Sequence, residues 1–138
     1  MTVEGALDTR IAAGKMKAVI AVVPNGRNRY GRSYYVNSSV DGNWEDYIVR
    51  DLVTYIDSHY RTRPSAKSRG LAGHSMGGFG ALRIAMKHPD VFGAVYAMSP
   101  CCVGIPTELP PANPVWATVR SMDSGAEMWS LVNQVKIG

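Results

Sequence analysis

Cysteine is scarce in this chain: two among 138 residues, and they are neighbours, Cys101 and Cys102. Adjacent cysteines close no useful loop, so a disulfide framework is excluded and the fold must rest on an apolar core. Two buried or half-buried thiols are expected, which leaves the compartment open, cytoplasmic or secreted. No apolar run approaches the roughly 20 residues of a membrane span, and the first residues carry no signal-peptide core. Neither sign of charge dominates, since 15 lysines and arginines against 11 acids give a formal +4. Apart from Arg27, Arg29 and Arg32 the basic residues are scattered, which speaks against nucleic acid as a partner.

Composition is otherwise that of an ordinary globular chain, with 46% hydrophobic and 19% charged residues,. The length suits one domain with a single core, spanning 1–138. The most informative stretch is Leu71-Ala72-Gly73-His74-Ser75-Met76-Gly77-Gly78-Phe79-Gly80. A short apolar run leads into Gly73, and helical spacing follows Gly80. Gly73-x-Ser75-x-Gly77 matches the nucleophile elbow, a strand-to-helix turn so sharp that only tiny side chains fit beside the serine. Such a turn lifts the hydroxyl above the sheet edge and aims a helix N-terminus at the same point. First-turn amides there favour a developing oxyanion.

The competing readings are an ordinary glycine-rich turn or a phosphate cradle. A Walker loop needs Lys-Ser/Thr after its last glycine, and Phe79-Gly80-Ala81 offers neither. A dinucleotide fingerprint started at Gly78-x-Gly80 meets Arg83 where its third glycine belongs. No cofactor and no metal site is expected.

In chain order, Ala6-Leu7 and Ile11-Ala12-Ala13 have helical spacing, with Gly14 suited to the C′ position. Ala18-Val19-Ile20-Ala21-Val22-Val23 reads as a strand buried on both faces, the signature of a parallel sheet. Pro24 to Asn43 has no clear period, and Tyr30, Tyr34, Tyr35, Asn37, Ser38 and Ser39 form either a pocket lining or a solvated loop. Asn43 suits a helix N-cap, with Glu45 and Asp46 in the first turn. Ile48, Leu52, Tyr55 and Ile56 make a core-facing stripe, and Asp46 pairs with Arg50. His59 suits a surface helix end.

Beyond the elbow, Phe79, Leu82, Ala85 and Met86 give an inward helix face that stops at His88-Pro89. Val91 to Ser99 reads as the next buried strand. Strands alternating with helices imply crossovers and an α/β fold, a three-layer α/β/α arrangement around a mostly parallel sheet. Residues 103–138 change character. Asn113-Pro114 begins a short amphipathic helix, and Ser124-x-x-Glu127 is a capping box before another. This tail is either a lid over the serine or a helical segment docked on the sheet.

Four stretches together resemble the esterase D/antigen 85-like branch of the α/β-hydrolase superfamily. They are Val22-Val23-Pro24-Asn25-Gly26, Gly42-Asn43-Trp44-Glu45-Asp46-Tyr47-Ile48, Ala72-Gly73-His74-Ser75-Met76-Gly77-Gly78 and Tyr96-Ala97-Met98-Ser99-Pro100. The resemblance runs from about Ala6 to Cys102. It implies a serine carboxylesterase that hydrolyses small-molecule esters through an acyl-enzyme. Ser75 would be the nucleophile and the Met76 backbone N–H one oxyanion donor. Trp44, Asn37 and His74 would lie near the substrate.

The family also places a triad acid and histidine after later strands, and here only His88 follows Ser75. Its first strands would precede Met1, so the chain reads as a truncated, partial α/β-hydrolase fold. A missing strand would lie between Ala18–Val23 and the strand at Leu71. That gap is closed either by direct pairing of the two or by a partner chain, which makes a homo-oligomer through exposed sheet edges an expectation. Three surrogate bases, His59, His74 and His88, or a neighbouring subunit remain open. So do two other activities, acyl transfer and a non-catalytic binding or assembly module.

Overall fold

The computed structural model describes residues 2–29 and 31–103 together with the isolated positions 112, 114, 117 and 121. The expected lid or docked helices of 103–138 therefore fall almost wholly outside the described residues. Helix α1 covers Val3–Ala12, begun by Thr2, whose hydroxyl accepts the Gly5 N–H at 3.2 Å. It ends where Gly14 turns left-handed at φ 66°, as the glycine at that position predicts. None of its residues is buried.

Ala18–Val23 corrects the sequence reading. It pairs with no strand, and its side chains are exposed, Val23 by 81%. A run of β-branched residues becomes a strand only where neighbours take up its N–H and C=O groups and cover its faces. Direct pairing with the strand at Leu71 does not occur.

Strands β1 (Asn37–Ser38) and β2 (Gly42–Asn43) form a small antiparallel ribbon inside the stretch read as a loop. It leads into a continuous helical stretch: α2 (Trp44–Asp46), a π-helical segment Tyr47–Leu52, and α3 (Val53–His59). The widened turn rotates the expected stripe. Ile48 and Val49 are buried and Leu52 is half-buried, whereas Tyr55 is exposed and stacks on His59 with ring centroids 4.1 Å apart. The Asp46–Arg50 pair forms at 3.9 Å.

A short 3₁₀ turn, Ala66–Ser68, precedes β3 (Gly70–His74), α4 (Met76–Lys87) and β4 (Ala94–Met98). Strands β3 and β4 are parallel and in register from Gly70↔Ala94 to His74↔Met98. Helix α4 packs across both. Among the described residues this is a two-layer arrangement. On the far side of the sheet Tyr96 is 67% exposed and no second helical layer covers it. The strand expected over Val91–Ser99 is shorter, because Phe92 closes a turn onto the His88 carbonyl at 3.0 Å and is buried there.

The inward face of α4 also differs from the expected stripe. Gly78, Gly80, Ala81 and Ile84 are buried, while Met86 is exposed. Where backbones press closest the face is built from glycine, which a count of apolar side chains passes over. Ile84, Ile48, Val49 and Phe92 form the core, with Tyr35, Tyr47, Leu52, Val53, Leu71 and Val91 packed around it.

Candidate active site

Ser75 occupies the N-cap position of α4 with φ 53° and ψ −117°. That left-handed conformation is costly for any residue with a side chain, on the order of 1–3 kcal/mol, and persists only where the surroundings enforce it. Here they do. The Ser75 N–H donates to the Met98 carbonyl at 3.0 Å. The Ser75 carbonyl accepts from Phe79 at 3.0 Å and from Cys101 at 3.2 Å. A methyl group at Gly73 would collide with the Gly77 carbonyl and Gly78 backbone, and one at Gly78 would lie 2.9 Å from the Met98 carbonyl oxygen. Gly73 and Gly78 thus admit backbone that a side chain would exclude, whereas a methyl at Gly77 would meet nothing within 4 Å.

Ser75 is half-buried and its side chain makes no capping hydrogen bond. Met76 is the first residue of α4, so its N–H is one of the first-turn amides with no acceptor inside the helix. The Ser75 side chain thus stands at the start of α4, next to such an amide, without capping the helix.

Two tyrosines brace this turn from the preceding loop. Tyr34 and Tyr35 both have positive φ, 52° and 55°. Tyr34 meets Phe79 edge-on with centroids 6.3 Å apart. Tyr35 fills the space left by Gly80, where a methyl would stand 2.5 Å from its ring, and presses equally on Gly26. Burial, and secondarily the neighbouring Tyr47 hydroxyl, raises the Tyr35 pKa.

Of the expected substrate residues, Asn37 and Trp44 come together at the start of the helical stretch, while His74 ends β3. The Asn37 side-chain oxygen accepts the N–H groups of Glu45 at 2.9 Å and Asp46 at 3.1 Å, so Asn37 caps the helix in place of Asn43, which makes no side-chain cap bond. The Trp44 indole donates to the Asp41 carbonyl at 2.9 Å and meets Tyr47 edge-on. Trp44 lines an open cleft of about 380 Å³ with Arg27, Asp41, Asn43 and Tyr47, and Ser75 is not among the lining residues. His74 is an exposed residue at the end of β3, and its ring has no hydrogen bond to the described residues.

The other two histidines are committed elsewhere. The His59 ring contacts the Ser58 hydroxyl and the Tyr55 carbonyl, each at 2.9 Å. His88 lies 2.9 Å from Glu45, a carboxylate only 4% exposed that also binds Arg83 and, at 2.6 Å, Lys87. Burial would raise the Glu45 pKa, but the hydrogen bonds from Lys87, His88 and Arg83 together outweigh it and hold the carboxyl at about 2. This cluster ties α2 to the far half of α4. Its signal in the sequence was the acid at a helix start facing three bases at Arg83, Lys87 and His88, a spacing that puts them on adjoining turns. Among the described residues no group of three or more metal-ligating side chains occurs, and no helix is long and apolar enough to cross a membrane.

Residues 1–136 match the family described as "Putative esterase". This chain belongs to that family. Its members are esterases of the α/β-hydrolase type, in agreement with the elbow and its βαβ setting. Esterase Rv1288 of Mycobacterium tuberculosis H37Rv is 37% identical over 84 residues, covering 60% of this chain and 18% of that protein. Esterase MT1326 from the CDC 1551 strain matches to the same extent. The solved structure of a ferulic acid esterase superposes with a TM-score of 0.64 at 32% identity, covering 71% of this chain and 38% of that one. The chain therefore spans well under half the length of these esterase relatives.

Proposed function

We propose that the chain is a serine carboxylesterase acting on small acyl esters through Ser75. The Ser75 hydroxyl attacks the ester carbonyl carbon, the Met76 N–H stabilises the oxyanion, and the alcohol leaves with the hydroxyl proton. Water then hydrolyses the acyl-serine. The observation that carries this reading is the enforced left-handed serine at the start of α4, with its hydroxyl outside the cap. Trp44, Asn37 and His74 belong to the substrate side in this reading. His59 and His88 are engaged elsewhere, so the base is His74, of the same copy or of a second copy that pairs along the open edge of β3.

The ferulic acid esterase likeness extends the substrate class to aromatic acyl groups. Hydrolysis of p-nitrophenyl acetate and of methyl ferulate by wild type and Ser75→Ala tests both points. Wild-type turnover that falls at least about 10³-fold in the variant supports the reading. Equal rates overturn it. One observation favours a second reading, a non-catalytic module: among the described residues no histidine is hydrogen-bonded to the Ser75 hydroxyl. Absence of turnover together with intact folding would select it.

A further inference from the structure

The adjacent cysteines carry more than packing. Cys101 and Cys102 are half-buried thiols whose sulfur atoms stand 2.9 Å apart, closer than ordinary sulfur contact. Cys102 has φ 66°, and Ser99, two residues before Cys101, has φ 39°. Two left-handed residues in four mark a segment held out of its preferred backbone shape.

The same segment grips the elbow. Met98 accepts the Ser75 N–H at 3.0 Å, Cys101 donates its N–H to the Ser75 carbonyl at 3.2 Å, and Gly78 is pressed against Pro100, where a methyl would approach its Cα to 3.1 Å. Any change of backbone at Cys101 is therefore transmitted to the residue that presents the hydroxyl.

We propose that Cys101 and Cys102 form a two-electron redox site that closes to a vicinal disulfide and thereby resets the elbow. The oxidant is a peroxide. One thiolate attacks a peroxide oxygen to give a sulfenic acid and one water, and the second sulfur displaces the hydroxyl as another water. Two S–H bonds and the O–O bond break, one S–S bond forms, and both protons end in water. Neighbouring Cα atoms across a trans peptide are about 3.8 Å apart, short of the roughly 4.4 Å at which ordinary disulfides begin. The bond is therefore strained and readily reduced again by a dithiol, the behaviour of a reversible switch. The thiol chemistry stands on the sulfur geometry alone, whereas its consequence for catalysis rests on the Ser75 esterase reading.

The test treats the full chain with one equivalent of hydrogen peroxide. It then measures intact mass, thiol content, and the rate of labelling by a fluorophosphonate before and after dithiothreitol. The expected result is loss of two hydrogens in a monomeric species, disappearance of both thiols, and labelling slowed about 10- to 100-fold, all reversed by dithiothreitol. Cys102→Ser should gain oxygen rather than lose hydrogen, and its labelling rate should not respond reversibly in this way. Added oxygen on the wild type, or disulfide-linked dimers, would overturn the site. Two hydrogens lost with unchanged labelling would overturn the coupling to Ser75. No labelling of the reduced protein would remove the esterase reading and the coupling together, while the mass measurement still decides the vicinal disulfide.

Discussion

Ala18–Val23 and Ala94–Met98 are alike in length and in apolar character, yet one is an unpaired exposed segment and the other a parallel strand. The difference lies in what each finds beside it. Ala94–Met98 has β3 along one edge and α4 across one face. Ala18–Val23 has neither among the described residues, and its valines stay exposed. Strand propensity is a statement about neighbours, and identical chemistry gives opposite outcomes when the neighbours differ. The closed half of the molecule, β3–α4–β4, is also the half that holds a strained serine in place.

This contrast can be broken by substitution, most severely at the elbow. Gly73→Ala drives a methyl into the Gly77 and Gly78 backbone, where no side chain can move aside, and should cost about 4 kcal/mol or leave the protein unfolded. Urea unfolding measures it, and a near-neutral result would mean the turn is looser than described. In the core, Ile84 is only 2% exposed, and Ile84→Ala should cost about 3 kcal/mol by the same method.

Glu45 comes next. Glu45→Ala leaves Arg83, Lys87 and His88 without their shared acceptor. Because Arg83 and Lys87 keep 30% and 48% of their side-chain surface in water, the cost should be about 2 kcal/mol, below that of a fully buried pair. The pH dependence has a definite sign. A carboxyl held at about 2 in the folded state, against an ordinary 4.5, contributes stability that is present above the ordinary value and is lost as pH falls from there toward 2. Glu45→Gln should flatten that part of the stability curve.

The smallest effect is expected in the open half. Val23→Ser should change stability by less than about 0.5 kcal/mol. A cost matching that of Ile84→Ala would show that Ala18–Val23 is covered after all, and would erase the contrast.

The elbow was legible because its constraints are local. Gly73 and Ser75 are dictated by one turn, and both flanking elements appear as short-range patterns. The left-handed end of α1 at Gly14 and the surface position of His59 were legible for the same reason. What escaped depends on partners distant in sequence. The Asn37 cap spans 8 residues to Glu45, and the Arg83–Glu45 pair spans 38. The buried face of α4 was misread because glycine, chosen for close backbone approach, is silent in a hydrophobic stripe. Tyr35 takes a left-handed backbone that its own type disfavours, and the recesses it fills at Gly26 and Gly80 account for it.

The esterase reading depends on Ser75 being a reactive nucleophile, and covalent capture reports on that directly. Wild type and Ser75→Ala are incubated with a fluorophosphonate and the modified peptide is located by mass spectrometry. The account predicts one adduct, on Ser75, in wild type and none in the variant. Equal labelling of both proteins, an adduct on a different residue, or no adduct on well-folded wild type would contradict it.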